Sequence, residues 1–256
     1  MTGVITARVK RFFAALALLS IELIIIWSLF LACIIIFAVT AYRTFLLKKD
    51  DIDTSVFNFL ASHISVRLTD VMEVITFLGS HVFLIPANVI LIAYFLFVRK
   101  HRWYAIKIPV VALGGLSMMF LLKLIFSRPR PLIPLLKPAE GFSFPSGHAL
   151  MSFSFYGLLI YMVYENVRNI YLRWIIIVFL FLLIFMIGLS RVYLRVHFAS
   201  DVIAGFAAGF IWIVLSLFVT GRIEQYSKRK IDPEIKKQES MENIQKNQEP
   251  KNLRTK

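Results

Sequence analysis

Long apolar blocks separated by short polar segments dominate the pattern of this chain. The first block runs almost without interruption from Phe12 to Ala41. Five shorter apolar runs follow it, at 82–98, 105–126, 149–164, 174–190 and 199–220. A hydrocarbon core about 30 Å thick is crossed by a helix of about 20 apolar residues. The pattern therefore predicts an all-α, polytopic membrane protein with six transmembrane helices.

Three segments depart from this pattern. The polar break at 48–53 contains three aspartates, and we expect a solvated loop there because no neighbouring ligands complete a cation site. Residues 54–80 have apolar side chains at roughly helical spacing, which predicts one or two extracytoplasmic amphipathic helices at the membrane surface. After residue 220 the chain is rich in Lys, Gln, Asn and Glu. We expect a membrane-embedded domain at 1–220 and a basic, disordered cytoplasmic tail at 221–256.

Composition supports the membrane assignment and limits the partners. Hydrophobic residues make up 59% of the 256 residues, charged residues only 17%, and the mean hydropathy is +0.75. A soluble domain could not cover this much apolar surface. The net charge of +14 could suggest nucleic acid, but the cations lie between and after the apolar blocks, where topology and anionic headgroups explain them. We expect no nucleic-acid partner, and the oligomeric state stays open.

The distribution of Lys and Arg predicts how the chain is oriented. A cytoplasmic N-terminus also places the basic loops at 99–107 and 165–173 and the basic C-terminal tail inside. The segments 43–80, 127–148 and 191–198 then lie outside. These outer segments still contain several cations, namely Arg128, Arg130, Lys137, Arg191 and Arg195. Their presence on the extracytoplasmic face needs another explanation.

Phosphate chemistry provides one. A phosphate dianion needs fixed cations and N–H donors around its oxygens, a nucleophile in line, and an acid for the leaving oxygen. Lys123 and the segment Ser127-Arg128-Pro129-Arg130-Pro131 form a first cluster at the outer end of the third predicted span. The prolines stiffen the chain as it leaves the helix. Alone, this cluster also fits cations that reach toward lipid headgroups.

The second cluster is Pro145-Ser146-Gly147-His148, at the start of the fourth predicted span. Ser146 is a suitable helix N-cap, and the free N–H groups of a first helical turn form an anion site. Gly147 lets the backbone approach a ligand closely, and His148 is placed to donate a proton. An ordinary capped helix with an unrelated histidine would have the same four residues.

The third cluster joins the last two predicted spans and contains Ser190, Arg191, His197 and Asp201. His197 and Asp201 are four residues apart, so on a helix they share one face. A carboxylate can fix the tautomer of an imidazole and leave its other nitrogen free to attack. Each cluster has an ordinary structural reading, but all three are predicted on one membrane face.

These clusters closely resemble the motifs of the type-2 phosphatidate phosphatase superfamily, which also includes glucose-6-phosphatase and vanadium haloperoxidases. The family signature is K-x6-R-P, then P-S-G-H, then S-R-x5-H-x3-D. The chain matches every fixed position, and the motif core spans 123–201. The signature is specific for a phosphate pocket and does not specify the substrate.

The resemblance implies a role for each matching residue. His197 would be the nucleophile that takes the phosphoryl group, Asp201 would orient it, and His148 would be the general acid. The remaining motif residues would bind phosphate: Lys123, Arg130, Ser146, Gly147 and Arg191. The resemblance implies neither a metal nor a cofactor.

Three further residues fall outside the motif positions. Arg128 is an additional cation that contacts either substrate or only headgroups. His63 and His81 have no partner at a diagnostic spacing, and we expect them in loops or at an interface.

Hydrolysis of a lipid phosphate or diphosphate through a phosphohistidine intermediate is the leading functional prediction. The substrate classes left open are undecaprenyl diphosphate, phosphatidylglycerophosphate, phosphatidate and lipid A phosphates. A phosphotransferase that passes the same phosphoryl group to an alcohol is a close alternative. A non-catalytic transporter or scaffold would be favoured by loss of His197 or His148, and both are present.

Overall fold

The computed structural model of the protein describes residues 2–131, 135, 141–231 and 241, with side chains from residue 21 onward. These residues contain helices and no strand, which confirms the predicted all-α class. The α-helices are α1 (Thr2–Ala41), α2 (Asp51–Ala61), α3 (Val66–Phe77), α4 (His81–Ala93), α5 (Arg102–Phe126), α6 (Gly147–Asn166), α7 (Ile170–Tyr193) and α8 (Ala199–Tyr226). Short π-helical turns extend three of them, at Tyr42–Leu46, Tyr94–Val98 and Ser227–Ile231.

Six helical segments in the described part of the chain are long and apolar enough to cross a membrane. They are Ile21–Leu46, Val66–Val98, Arg102–Phe126, Gly147–Asn166, Ile170–Tyr193 and Ala199–Ile231. The predicted number of spans is therefore confirmed, and several helices begin earlier than the apolar runs. For example, α7 starts where the Asn169 side chain accepts a hydrogen bond from the Leu172 N–H at 3.1 Å. Helix caps are polar, so the apolar pattern alone misses them.

The region before the second predicted span is more ordered than expected. Helix α2 begins at Asp51, so the predicted solvated loop at 48–53 is wrong beyond its first residues. Asp53 is only 3% exposed, because residues far away in the sequence bind its carboxylate. One or two amphipathic surface helices were predicted for 54–80, and the structure has two helices there, α2 and α3. Of these, α3 joins α4 in the apolar segment Val66–Val98, which is long enough to cross a membrane, so the predicted surface location is not supported for α3.

Two glycines bring α8 into close contact with α6. A Cβ at Gly205 would lie 2.7 Å from the Ser146 carbonyl oxygen, and a Cβ at Gly209 would lie 2.8 Å from the Leu150 carbonyl oxygen. Small residues four apart let membrane helices approach at backbone distance. The contact places the first turn of α8 beside the first turn of α6, where two of the three motifs lie.

Helices α2 and α3 pack on the chain between the end of α7 and the start of α8. The contact is apolar: Val56, Phe57 and Leu60 pack near Val192, Ala199 and Val202, and Leu68 and Met72 pack near Tyr193, Leu194 and Val196. The segment that carries the third motif is therefore enclosed by the helices that precede the second apolar run.

An aromatic cluster anchors the loop that precedes α6. Phe144 is fully buried, and its ring centroid lies 5.8 Å from that of Phe37, 5.2 Å from Phe45 and 4.9 Å from Phe126. These rings come from α1, the π-helical turn after it, and α5. Because they fix Phe144, they also fix Ser143 and Pro145 on either side.

The start of the predicted tail is helical. Residues 221–226 continue α8, and Ser227–Ile231 form a π-helical turn, so the expected disorder is wrong for 221–231. Charged residues extend the helix there, and Lys228 donates to Glu224 one turn earlier at 2.6 Å. The rest of the predicted tail lies outside the described residues, apart from residue 241.

Candidate active site

One cavity collects most of the predicted site residues. It has a volume of about 590 Å³ and lies where α5 and α7 end and α6 begins. Six motif residues line it: Lys123, Arg130, Gly147, His148, Arg191 and His197. Ser146 and Asp201 are absent from its lining and lie fully buried. The three sequence clusters therefore meet in space, as their predicted placement on one face required.

His197 lies in the short connection between α7 and α8. Arg195 adopts a left-handed conformation (φ 55°) there, and the His197 N–H donates to the Arg191 carbonyl at 3.3 Å. The imidazole is only 2% exposed. Its Nε2 lies 3.3 Å from Nη1 of Arg130, and its Nδ1 lies 3.2 Å from Oγ of Ser143.

These neighbours determine the tautomer of His197. A guanidinium can only donate, so Nε2 beside Arg130 must be the acceptor and the proton must lie on Nδ1. Burial lowers the pKa of His197 from 6.5 to about 4, an effect that the Asp201 carboxylate opposes and that Arg191 and Arg130 reinforce. The imidazole is therefore neutral at physiological pH, with an unprotonated nitrogen directed at the cations.

Asp201 lies behind His197 in the first turn of α8. Its Oδ2 lies 3.5 Å from the His197 Nδ1 and accepts hydrogen bonds from the Phe198 N–H, at 2.9 Å, and from the Ser143 hydroxyl. The Ser143 hydroxyl is closer to Nδ1 than the carboxylate is. It is thus placed to accept from the imidazole while it donates to Asp201, a position that spacing within the motifs did not indicate.

The three predicted phosphate-binding cations are held by backbone and side-chain acceptors. Arg130 donates through Nε to the Gly141 carbonyl and through Nη1 to the Val196 carbonyl, each at 3.0 Å. Lys123 donates to the Phe142 carbonyl. Burial lowers the pKa of Arg130. Together these bonds hold two cations against the wall of the cavity.

Arg191 is anchored from α3. Its Nη1 donates to the Thr76 hydroxyl at 2.8 Å, and its Nε is buried without a hydrogen-bond partner. A buried donor that lacks a partner costs free energy, which an anion in the cavity would recover. Thr76 lies 115 residues away in the sequence, and no sequence signal indicated it.

Ser146 does not cap α6 with its side chain. The expected bond from its hydroxyl to the first helical turn is absent, and its Oγ is buried without a partner. The Ser146 N–H instead donates to the Asp201 carbonyl at 2.9 Å, and its own carbonyl lies against Gly205. The contact with α8 therefore sets the orientation of this residue, and the hydroxyl lies buried behind the cavity wall without a hydrogen-bond partner. Beside it, Gly147 lines the cavity.

Arg128 has neither of its two expected roles. Its guanidinium lies 2.7 Å from Oδ1 of Asp201, 2.8 Å from Oδ2 of Asp53, and 4.0 Å from the centre of the Phe198 ring. It is therefore an internal cation that joins two carboxylates. His81, expected in a loop or at an interface, lines the cavity.

An apolar wall continues from the cations along one side of the cavity. It is formed by α4 and α5, with residues that include Leu84, Ile85, Val89, Ile92, Leu113 and Leu116. From His81 to Ile92 the wall extends about 16 Å at 1.5 Å per helical residue. The cavity thus joins a polar end, rich in fixed positive charge, to an apolar side that faces α4 and α5.

The fold and this cavity define a polytopic helical membrane protein with a cation-lined cavity at the ends of its helices. The chain belongs to the PAP2 superfamily, whose family model matches residues 104–224. It is 30% identical over 163 residues to phosphatidylglycerophosphatase B of Bacillus subtilis (strain 168), an alignment that covers 63% of this chain and 80% of that relative.

Two solved structures resemble this fold. The first transmembrane PAP2-type phosphatidylglycerolphosphate phosphatase from Bacillus subtilis has a TM-score of 0.67 and 29% identity, over 77% of this chain and 96% of that one. Aquifex aeolicus LpxE has a TM-score of 0.52 and 27% identity, over 64% of this chain and 93% of that one. The predicted family is confirmed, and so is the predicted enzyme class, a membrane lipid phosphatase.

Proposed function

We propose that the protein hydrolyses a phosphomonoester or diphosphate on a membrane lipid through a phosphohistidine formed on His197. The observation that supports this most directly is the environment of the His197 Nε2. That nitrogen accepts from Arg130 and is unprotonated, and His197 lines the same cavity as Lys123, Arg130 and Arg191. A phosphate held by these cations would present its phosphorus to the nitrogen.

The proposed reaction has two steps. First, Nε2 of His197 forms a bond to phosphorus, the bond from phosphorus to the lipid oxygen breaks, and His148 gives that oxygen a proton. Then water attacks the phosphohistidine, gives its proton to His148, and releases inorganic phosphate and neutral His197. Lys123, Arg130, Arg191 and Gly147, which line the cavity, would stabilise the charge on the phosphate oxygens in both steps. The buried Ser146 hydroxyl, next to Gly147, would contribute only after its side chain turned toward the cavity.

A lipid substrate is supported by the apolar wall of the cavity. Its polar end would take the phosphate, and its apolar side, along α4 and α5, would take the chain nearest the headgroup. Among the substrate classes, phosphatidylglycerophosphate is our first candidate, because the Bacillus subtilis relative is named as a phosphatase of that lipid, both as a curated protein and as a solved structure. No metal is required in this proposal, and no three His, Cys, Asp or Glu side chains cluster as metal ligands within the described residues.

We further propose that the site faces the extracytoplasmic side, since the basic 99–107 loop favours the cytoplasm. Single cysteines introduced at Ser62 and at Lys100, in a Cys33→Ser background, test this in intact cells. A membrane-impermeant maleimide should label the first position and spare the second. Labelling of position 100 alone would reverse the proposed orientation.

The test of the reaction compares purified wild type with His197→Ala in detergent, with EDTA present. Phosphate release is measured from phosphatidylglycerophosphate, phosphatidate, undecaprenyl diphosphate and a lipid A phosphate. His63→Ala is the matched control, because His63 is exposed and absent from the cavity lining. We expect release from wild type and the control and none from His197→Ala, together with an acid-labile phosphoenzyme in quenched wild type.

Three results would contradict the proposal. Phosphate release by His197→Ala at the wild-type rate would exclude a phosphohistidine on this residue as the intermediate. Transfer of the phosphoryl group to an added alcohol in place of water would identify a phosphotransferase, and no release from any lipid would leave a non-catalytic scaffold.

A further inference from the structure

We propose that Asp53 is a positioning residue for catalysis, which acts through Arg128 and Ser200 on the pair formed by Asp201 and His197. Asp53 lies in α2, 70 residues before the first motif residue, Lys123. It touches neither the cavity nor any cavity-lining cation. The inference rests on the proposed role of His197 and extends it to a helix outside the matched motifs.

Both carboxylate oxygens of Asp53 accept short hydrogen bonds. Its Oδ1 accepts the Ser200 N–H at 2.8 Å. Its Oδ2 accepts the Ser200 hydroxyl at 2.7 Å and Nη2 of Arg128 at 2.8 Å. Because Ser200 lies in the first turn of α8, next to Asp201, one carboxylate from α2 holds both the backbone and the side chain at that turn.

Arg128 carries the link to the catalytic carboxylate. Its Nη1 donates to Oδ1 of Asp201 and to the Ser200 hydroxyl, each at 2.7 Å. The guanidinium is therefore shared between two nearly inaccessible carboxylates, Asp53 and Asp201. A planar guanidinium that is bound on two sides has little freedom to rotate, so it fixes the orientation of the Asp201 carboxylate.

The charges give Asp53 a second effect. One cation lies between two anions, so the group of Asp53, Arg128 and Asp201 keeps one net negative charge. That charge lies beside the His197 Nδ1–H. Without Asp53, Arg128 would neutralise Asp201 completely, and the carboxylate would attract the imidazole proton less strongly. The nucleophile would then be held less firmly and would be less basic.

Arg130 and Arg191 also act electrostatically on His197. Both line the cavity, and neither contacts Asp53. Loss of Asp53 should therefore leave phosphate binding intact and slow the chemical step. A purely structural Asp53 would behave differently, since its loss would lower the amount of folded enzyme and leave the rate per folded molecule unchanged. The two roles can be separated by experiment.

The test compares Asp53→Asn with Asp51→Asn in the full-length protein. Asp51 is two residues away on the same helix and is exposed, with an ion pair to Arg43 at 2.9 Å. We measure kcat, KM and the inhibition constant of inorganic phosphate for the lipid that wild type hydrolyses fastest, and normalise kcat to the folded fraction. In metalloenzymes, loss of a hydrogen-bonding partner that orients a metal ligand lowers activity about 10- to 100-fold. By analogy, kcat of Asp53→Asn should fall by about the same factor. KM and the inhibition constant of phosphate should stay within about threefold of the wild-type values, and Asp51→Asn should match wild type in all three constants.

A double-substitution cycle adds a second criterion. Residues that act as one unit give non-additive losses, so Asp53→Asn combined with Arg128→Gln should lose little more kcat than the worse single variant. If the kcat losses of the two single variants multiplied in the double variant, the proposal would be overturned. A kcat for folded Asp53→Asn within about twofold of wild type would also overturn it.

The state of His197 provides a readout that does not depend on its role as nucleophile. Nitrogen NMR of histidine-labelled protein, with His197→Gln for assignment, should show the Nδ1-protonated form in wild type and a smaller population of it in Asp53→Asn. If His197→Ala remained active while this change appeared, the proposed reaction would fail and the link from Asp53 to the pair would stand. An unchanged His197 signal in Asp53→Asn would refute the link itself.

Discussion

Replacement of Ser143 by alanine should slow the reaction while the fold survives. The Ser143 hydroxyl is fully buried, donates to Oδ2 of Asp201, and lies 3.2 Å from the His197 Nδ1. The carboxylate itself is farther from that nitrogen, at 3.5 Å. The hydroxyl is therefore the nearest group that can accept the imidazole proton, and alanine would remove it.

The structure also sets the size of the effect. A hydrogen bond to a charged group contributes about 1.5–3 kcal/mol. Asp201 is close enough to His197 to shift and bind the imidazole directly, so the lower end of this range applies. A loss of about 1.4 kcal/mol corresponds to about a tenfold fall in kcat. KM should change little, because Ser143 is absent from the cavity lining.

The assay is steady-state phosphate release by purified Ser143→Ala, with Ser154→Ala as the matched control. Ser154 is also buried, and its hydroxyl donates only to the Leu150 carbonyl of its own helix, at 2.9 Å. Both variants lose one buried hydroxyl, so a difference between them reports the position beside His197. If kcat of Ser143→Ala stayed within about twofold of the control, the assigned contact would have no catalytic role.

Three further predictions follow from the geometry of the site. Because burial lowers the pKa of His197 to about 4, its imidazole stays neutral as the pH falls, and kcat/KM, corrected for ionisation of the substrate, should fall only near pH 4 instead of near 6.5. Gly79→Ala should cut kcat about 100-fold in the same phosphate assay, since a Cβ there would lie 2.5 Å from Ile187, 2.7 Å from Ser152 and 3.3 Å from the His148 ring, and the resulting shift would displace the proposed general acid. Gly205→Ala should lower the thermal midpoint in detergent by an amount equivalent to about 1–3 kcal/mol, because a Cβ would lie 2.7 Å from the Ser146 carbonyl oxygen. An acid limb near pH 6.5, full activity of Gly79→Ala, or an unchanged midpoint for Gly205→Ala would contradict the respective prediction.

Features that depend on local pattern could be predicted from the sequence. Apolar blocks of membrane-spanning length define the six spans whatever their neighbours are, because the bilayer is the solvent for each of them. The three motifs could be recognised because their spacing is short, as with His197 and Asp201 four residues apart. Most of their residues line one cavity, as expected.

The errors in the prediction have a common origin in contacts between distant residues. Asp53 was expected in a solvated loop and Arg128 at substrate or headgroups, yet the two form an ion pair across 75 residues of sequence. Ser146 was expected to cap α6 with its side chain, a local rule that the contact with α8 overrides. A single sequence contains no spacing that relates such positions.

The sequence by itself therefore determined the membrane-spanning architecture and the chemical groups of the proposed phosphate site. Only the tertiary structure decided which groups hold them: Ser143 beside His197, Thr76 on Arg191, and Asp53 behind Arg128. The physical reason is desolvation. A buried charge or hydroxyl must find a partner of suitable geometry wherever packing brings one near, and that partner depends on which helices meet.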